Sequence, residues 1–269
     1  MATYIQQNWD DKRAERWSRM QAQRGEIYGP ATERMLDLAD LRTGNRILDV
    51  AAGTGDQTLL AARHVGPNGY VLAIDTSTAM LTNAAEVIRK AGLTNVETRI
   101  MDAEDLDLDA DSFDAVICRL ALHTFPNPPK AVREMRRAVK PAGKVAALVR
   151  STAGKNPYEG VPLTVAHSLG STVPPMFTLS EPGVLEKAFR DGGFPDVAVH
   201  TVSTQRRFSS SVEVIRNLRD VSIVGSVLAK LPDAEREQAW AEVEQQLRRF
   251  EGPNGCEVPG ELLIGVGTK

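Results

Sequence analysis

The sequence predicts an α/β protein in which a mostly parallel sheet is covered by helices on both faces. Two observations favour this class. Short apolar segments alternate with helical segments from residue 46 onwards, and these segments are too apolar to face water on either side. The first of them, Arg46–Val50, is followed by the small residues Ala51-Ala52-Gly53-Thr54-Gly55. Ligands of open α/β sheets bind where a parallel strand ends in such a turn.

The predicted elements alternate regularly between residues 46 and 149. The predicted strands are Arg46–Val50, Tyr70–Ile74, Val96–Met101, Phe113–Cys118 and Lys144–Val149. The predicted helices are Asp56–His64, a helix from an N-cap at Thr76 or Ser77 to Ala91, and Lys130–Val139. Turn residues separate them: Gly66-Pro67-Asn68-Gly69, Gly92 and Lys140-Pro141-Ala142-Gly143.

The flanking segments are predicted to be helical caps on this core. Residues 1–45 form an amphipathic lid, with Ile5, Trp9, Trp17 and Met20 on one face. The core covers 46–208, and its insertion 151–179, with four prolines and three glycines, is a predicted substrate cap. After this insertion the core continues with a predicted helix capped by Ser180 and a predicted strand Val197–Thr201. Residues 209–259 form a helical cap, helical over 211–250, and 260–269 add a final strand, Glu261–Gly267.

Composition excludes several function classes. The net charge of −3 offers no basic surface, so we expect no nucleic-acid partner. Two cysteines form neither a metal-binding cluster nor a disulfide framework, and we expect no metal. The sequence has no signal-peptide pattern and no run of about 18 apolar residues, which predicts a cytoplasmic protein without stable membrane insertion. The oligomeric state stays open.

The glycine turn predicts a nucleoside cofactor. A P-loop is excluded, because no Lys-Ser or Lys-Thr follows the glycines. A dinucleotide fingerprint would need a third glycine where Thr58 stands, and Asp56 would repel a pyrophosphate. Asp49, in the strand before the turn, instead favours a cofactor that carries a cationic amino group and a sulfonium.

Two more carboxylates follow the next two strands. Asp75 ends the second strand, where a carboxylate can accept hydrogen bonds from both hydroxyls of a ribose. Asp102 follows the third strand and can accept from an adenine amino group. Together they predict a site for S-adenosyl-L-methionine at this edge of the sheet.

These motifs, in this order, resemble the class I S-adenosylmethionine-dependent methyltransferases, closest to the quinone-biosynthesis C-methyltransferases and their small-molecule relatives. The resemblance rests on ILDVAAGTGD, VLAIDTSTAML, MDAEDL, SFDAVICRLALH and REMRRAVKPAGKVAALV. It implies a Rossmann-like sheet of seven strands with the last strand antiparallel. It also implies a set of cofactor-binding residues: Tyr28, Asp49, Ala51, Gly53, Thr54, Gly55, Asp75, Thr76, Met80, Asp102, Ala103, Arg119 and Leu120.

His123 is the candidate catalytic base, because it follows the fourth strand at the cofactor edge and an imidazole titrates near neutral pH. The alternative is a histidine that satisfies loop backbone groups. Phe125, Arg150 and Tyr158 are candidate substrate-binding residues, and Arg150 would suit an acidic or phenolate oxygen.

The sequence therefore predicts methyl transfer from S-adenosyl-L-methionine, leaving S-adenosyl-L-homocysteine, to a small apolar or aromatic acceptor at carbon or oxygen. Quinone C-methyltransferases usually show Gly-Leu-Arg-Asn near the end of strand four, and Leu120–Phe125 differs from it, which disfavours a quinone acceptor. Two alternatives stay open: a nicotinamide-dependent oxidoreductase, and a non-catalytic protein that binds S-adenosylmethionine.

Overall fold

The computed structural model of the protein describes residues 11–221 and 223–269. The predictions on Ile5 and Trp9 lie outside the described residues. The chain forms two compact units. The first comprises the described residues up to Val149, together with Thr178–Thr201 and Leu263–Lys269; the second comprises Arg150–Phe177 and Val202–Leu262. None of the described helices is long and apolar enough to cross a bilayer.

The first unit contains the alternating part of the chain. In chain order its complete elements are α1 (Asp11–Arg19), α2 (Gln21–Leu38), β1 (Arg46–Val50), α3 (Asp56–Val65), β2 (Tyr70–Asp75), α4 (Thr78–Lys90), β3 (Val96–Ile100), β4 (Phe113–Arg119), α5 (Pro128–Ala138) and α7 (Val184–Asp191). The N-cap of α4 is Ser77, whose hydroxyl accepts from Met80 N–H. Three further strands have residues in both units: β5 (Val139–Arg150), β6 (Val197–Phe208) and β8 (Gly255–Thr268).

These strands form one mixed sheet in the order β3-β2-β1-β4-β5-β8-β6. Strands β1 to β5 pair in parallel, so Val50 lies opposite both Ile74 and Cys118. Ala142 N–H donates to Lys269, whereas Ser151, further along the chain, donates to Glu261, so β8 runs antiparallel to β5. The predicted mostly parallel sheet of seven strands with an antiparallel last strand is confirmed, and a two-residue strand β7 (Glu251–Gly252) adds an eighth strand by pairing with β8.

The core of the first unit explains the apolar strands. Side chains from β1, β2, β4 and β5 are buried on both faces of the sheet, as a parallel sheet between helix layers requires. Helices α5 and α7 contribute buried residues such as Met135 and Phe189 to the same cluster. This packing fixes the carboxyl ends of β1, β2 and β4, from which the site is built.

The second unit is mostly helical. Its complete elements are α6 (Pro157–Ser168), α8 (Ser211–Val221), α9 (Ile223–Leu228), α10 (Asp233–Leu247) and β7. The stripe Trp240, Val243 and Leu247 on α10 is buried in its core, with Phe250 packed against it. Residues 211–250 are therefore helical as predicted, apart from the undescribed residue 222 and a break before Asp233.

Two strands are longer than the sequence predicts. Strand β6 continues past Thr201 to Phe208, and β8 begins at Gly255 rather than at Glu261. The added part of β6 contains charged residues, and the added part of β8 contains glycines and Pro259, so both segments have a composition typical of loops. Gly255 has φ +111°, and β7 and β8 form a hairpin beside it, so the glycine begins the strand.

Candidate functional site

The turn between β1 and α3 has an unusual backbone. Ala51, Gly53 and Gly55 have φ values of +54°, +58° and +85°. A Cβ on Gly55 would lie 3.2 Å from the Cβ of Ala84 on α4, so this glycine allows the helices to pack. A Cβ on Gly53 would meet nothing nearer than the indole nitrogen of Trp17, at 3.9 Å. Gly53 is therefore the position where a ligand can approach the backbone.

Asp49 lies beneath this turn. It is fully buried on β1, and its carboxylate accepts from the Gln57 side-chain amide and, at 2.6 Å, from the Thr58 hydroxyl. Burial raises its pKa to about 7 despite these hydrogen bonds. Asp49 thus ties the strand to the first turn of α3, and its contact with a cofactor stays a prediction.

Asp75 ends β2 beside the glycine turn. Its carboxylate accepts from Gly53 N–H at 3.0 Å and from Ser77 N–H at 2.9 Å. Burial raises the pKa of Asp75, although hydrogen bonds from the backbone of Ser77, Gly53 and Thr76 lower it. Thr76 is exposed and Met80 is buried in the first turn of α4. The predicted ribose acceptor therefore lies next to the one open glycine of the turn.

Asp56, at the start of α3, is held by two arginines. Arg24 on α2 donates to both carboxylate oxygens at 2.7 and 3.0 Å and to the Thr54 hydroxyl at 3.1 Å. Arg119 donates to Asp56 at 3.2 Å and to Thr32 at 3.1 Å. Burial raises the pKa of Asp56, but the two guanidinium groups outweigh it and hold the pKa below its ordinary value.

This cluster corrects one step of the sequence argument. Asp56 does not present a bare carboxylate, because two positive charges surround one negative charge. Its charge therefore does not disfavour a pyrophosphate, and that reason for excluding a dinucleotide was wrong.

The remaining predicted cofactor residues lie after β3 and β4 or on α2. Asp102 is exposed and accepts from Glu104 N–H at 2.9 Å, and Ala103 beside it is buried. Leu120 has φ +57°, an uncommon backbone conformation for a bulky side chain that marks a constrained turn. Tyr28 is 4% exposed on α2, and its carbonyl accepts from Thr32.

His123 lies in a 3₁₀ turn, Leu122–Thr124, and is 4% exposed. Its carbonyl oxygen accepts from the Thr178 hydroxyl at 3.0 Å. Phe125, next to it, is half-buried and packs on the core of the first unit. These contacts hold both residues at the end of β4, and their catalytic and substrate-binding roles stay predictions.

Arg150 and Tyr158 belong to the second unit. Arg150 Nε lies 3.4 Å from Glu159, and the Tyr158 hydroxyl donates to Asn217 at 2.5 Å. Within the described ranges, no three His, Cys, Asp or Glu side chains are grouped to hold a metal ion.

Sequence reasoning missed Arg24, Gln57 and Thr58. Gln57 and Thr58 occupy the first turn of the helix directly after the glycines, which is a signal for contact with the end of β1. Arg24 gives no local signal, because its partner Asp56 is 32 residues away.

The sheet order, the glycine turn and the carboxylates at the ends of β1, β2 and β3 resemble those expected of a class I S-adenosylmethionine-dependent methyltransferase domain. Residues 41–160 match the family model described as "Methyltransferase domain". The sequence is also similar to the ubiquinone/menaquinone biosynthesis C-methyltransferase UbiE of Idiomarina loihiensis. The two are 37% identical over 114 residues, which cover 42% of this chain and 45% of that protein.

Two further proteins show how far the likeness extends. Nocamycin O-methyltransferase of Saccharothrix syringae is 35% identical over 120 residues, which cover 45% of this chain and 43% of that protein. The crystal structure of the YcgJ protein of Bacillus subtilis aligns with a TM-score of 0.61 over 90% of this chain and 98% of that chain. At 19% identity it supports the fold alone. The chain spans about half the length of the curated relatives it matches.

Proposed function

We propose that the protein transfers the methyl group of S-adenosyl-L-methionine to a small, apolar or aromatic acceptor at carbon or oxygen. The observation that carries the proposal is the 3.0 Å hydrogen bond from Gly53 N–H to Asp75. It puts an open backbone position and a half-buried carboxylate side by side at the ends of β1 and β2. A nucleoside with a ribose and a short charged tail fits that combination.

Different residues at this edge of the sheet suit different parts of the cofactor. Asp75 would accept the ribose hydroxyls, and Asp102 with Ala103 would hold the adenine. Gly53 would leave room for the methionine portion. The net positive charge of Arg24, Arg119 and Asp56 suits the carboxylate of that portion. Tyr28, Thr76, Met80 and Leu120 would supply the surrounding contacts.

When bound, S-adenosylmethionine supplies a methyl group on a sulfonium, and S-adenosylhomocysteine remains after the transfer. The protein must then hold the acceptor in line with that group and exclude water. For an acceptor hydroxyl or an acidic C–H, His123 would take the proton that the acceptor loses. The names of the similar proteins, a C-methyltransferase and an O-methyltransferase, support transfer to carbon or oxygen.

Ligand-induced stabilisation tests the proposal against its alternatives. S-adenosylhomocysteine at 100 times its dissociation constant should raise the free energy of unfolding by about 2.7 kcal/mol, and NADH should not. Stabilisation by NADH alone would instead identify an oxidoreductase. Stabilisation by S-adenosylhomocysteine without methyl transfer to any aromatic acceptor offered would favour the non-catalytic alternative.

Asp75→Ala provides the residue-level test. Losing a charged acceptor for the ribose should weaken S-adenosylhomocysteine binding by about 1.5–3 kcal/mol, or roughly 10- to 150-fold. The exposed Asp107→Ala is the matched control and should bind normally. Unchanged affinity in a folded Asp75→Ala protein, measured by calorimetric titration, would reject the ribose assignment.

A further inference from the structure

Strand β3 forms one edge of the sheet in the first unit. It pairs with β2, and among the residues that the structure describes no strand pairs with its other side. Its side chains are more exposed than those of the inner strands. Ile100, its last residue, is 58% exposed, which makes it the most exposed large apolar side chain in the described ranges. An open edge strand with an exposed apolar side chain is a template for pairing with another strand.

The backbone of β3 has hydrogen-bonding groups left for such a strand. Asn95 accepts a backbone hydrogen bond from β2 at 2.9 Å, and Met101 donates one to β2 at 3.1 Å. Backbone groups of successive residues in a strand point to alternate sides, so the odd-numbered residues of β3 are the ones that bind β2. The N–H and C=O groups of Val96, Thr98 and Ile100 therefore point away from β2, toward the open edge.

The side chains of β3 are complementary to a second copy of the same strand. The strand reads Val-Glu-Thr-Arg-Ile. If two copies run antiparallel with Thr98 opposite Thr98, Glu97 of each copy lies opposite Arg99 of the other. Within one strand Glu97 and Arg99 are already paired at 2.7 Å. The four side chains would then form a square in which every neighbour has the opposite charge. On the opposite face of the strands, Val96 of each copy would cover the exposed Ile100 of the other.

Backbone direction and charge favour the same register. Only the outward-pointing residues can form hydrogen-bonded pairs, so the register can shift only in steps of two residues. A shift in one direction places Glu97 opposite Glu97, and a shift in the other places Arg99 opposite Arg99. Like charges directly opposite each other are destabilising. In the register centred on Thr98, the Glu97–Arg99 pairs take the non-hydrogen-bonded positions, where facing Cα atoms are closest, at about 4.5 Å.

Charged side chains on an edge strand often serve to prevent pairing, and this reading has to be weighed. That protection requires a facing strand that leaves the charges unpaired or meets them with the same sign. A second copy of β3 does neither in the register above. The strand also has no proline, and it pairs with β2 without a bulge, so two further devices that block an edge are missing from it.

We propose that the protein forms a homodimer in which the β3 strands of two copies pair antiparallel about a two-fold axis at Thr98. Such a contact is self-complementary and is complete with two copies. The inference goes beyond the proposed function and does not depend on it. A single pair of short strands is smaller than a standard interface, so we expect a dissociation constant of about 1–100 μM.

Charge reversal tests the register. Glu97→Arg gives the strand two positive side chains and Arg99→Glu gives it two negative ones, so each variant alone should dimerise at least about tenfold more weakly than the wild type. An equal mixture of the two variants should recover at least the wild-type affinity, because every facing pair again has opposite charges. Sedimentation velocity over a concentration series, with one variant fluorescently labelled in the mixture, measures these affinities.

The matched controls reverse charges elsewhere. Glu186→Arg and Arg190→Glu make the same changes in net charge at an exposed ion pair on α7 and should leave the dimer affinity unchanged. Recovery on mixing also serves as a control for folding, because two misfolded variants would not restore a dimer.

Thr98→Pro tests the backbone pairing separately from the charges. Proline removes the N–H that Thr98 directs away from β2, so both hydrogen bonds of the central pair are lost while the bonds to β2 stay. The variant should dimerise at least about tenfold more weakly. Thr98→Val keeps the N–H and the branched side chain and should keep most of the affinity. Circular dichroism verifies that the compared proteins are folded.

A wild-type protein that stays monomeric up to about 100 μM overturns the proposal. So does a dimer that survives each charge reversal alone, because it would use another surface. Single variants that lose the dimer and do not recover it on mixing overturn the antiparallel register. A dimer that the folded Thr98→Pro protein forms with unchanged affinity overturns the strand pairing.

Discussion

Asp49→Asn should stabilise the protein, and more so at alkaline than at acidic pH. In the folded protein the pKa of Asp49 is raised from 3.8 to about 7, because the carboxyl is completely buried. At pH values below 3.8 the group is protonated in both the folded and the unfolded chain, and its burial then costs no ionisation energy. As the pH rises, the unfolded chain loses this proton first, so stability falls until the pH passes the folded-state pKa.

The size of the effect follows from these two pKa values. Relative to its value at low pH, the free energy of unfolding is lowered by ionisation of Asp49 by about 1.7 kcal/mol at pH 5 and by about 4.3 kcal/mol at pH 8. Asparagine does not ionise and keeps one oxygen to accept from Gln57 or Thr58. Its amide can also donate to Gln57 Oε1, which is buried without a partner among the described residues. The stability difference between variant and wild type should therefore grow by about 2.6 kcal/mol between pH 5 and pH 8.

Urea unfolding at the two pH values measures this difference directly. Taking variant minus wild type at each pH removes the contribution of every other titrating group. Asp107→Asn, at an exposed aspartate, is the control and should show the same stability difference at both pH values. A difference for Asp49→Asn that is equal at pH 5 and pH 8, or larger at pH 5, would refute the argument that burial dominates this carboxyl.

Three further predictions follow from the site. Gly53→Ala should lower stability by about 1–2 kcal/mol, because Gly53 has a left-handed backbone, and should strongly weaken S-adenosylhomocysteine binding. Gly55→Ala should also lower stability by a further overpacking cost of about 1–3 kcal/mol, because its Cβ would press against Ala84. Urea unfolding and calorimetric titration measure the two effects, and equal losses of binding in the two variants would contradict the view that Gly53 faces the ligand and Gly55 faces α4. Arg24→Ala should destabilise the protein by at most about 3–5 kcal/mol, because Arg119 still pairs with Asp56. Arg42→Ala removes an exposed ion pair and is the control that should change stability little. An Arg24→Ala protein with unchanged stability and unchanged cofactor affinity would show that the ion pairs of Asp56 are dispensable. His123→Ala should lower turnover roughly 10²–10⁴-fold at unchanged cofactor affinity and remove the rise of activity with pH, and a pH profile identical to the wild type would argue for a structural histidine.

Local patterns made most of the first unit predictable. Strands β1, β2 and β4 and the second half of β5 are mainly apolar because both sheet faces are covered there, whereas β3 at the sheet edge is polar and largely exposed. Ser77 and Gly92 mark helix ends by capping chemistry. The end of β6 was not predictable in this way. Arg206 and Arg207 look like loop residues, but one is buried against Glu159 and the other is exposed on the same strand.

The ionic clusters could not be predicted for a different reason. Arg24 and Asp56 are 32 residues apart, and Arg206 and Glu159 are 47 residues apart. A sequence pattern shows which side chains could pair but not which elements the fold brings together. The shared location of the carboxylates at strand ends was easier to predict, because parallel strands place their carboxyl ends at one edge of the sheet regardless of the rest of the fold.

The distinction between a sulfonium cofactor and a dinucleotide now depends on shape rather than on charge. In a dinucleotide fingerprint the second glycine lets the backbone approach the pyrophosphate, and the third allows close packing of helix and strand. Here the space beside Gly55, the second glycine, is taken by Ala84 of α4. The third position is Thr58, whose hydroxyl is bound to Asp49 under the turn. Neither position performs its pyrophosphate function, and Gly53 remains as the single open approach beside Asp75. We therefore expect a turn with one open glycine beside Asp75, the predicted ribose acceptor, to suit a single nucleoside with a short tail, which is the shape of S-adenosylmethionine.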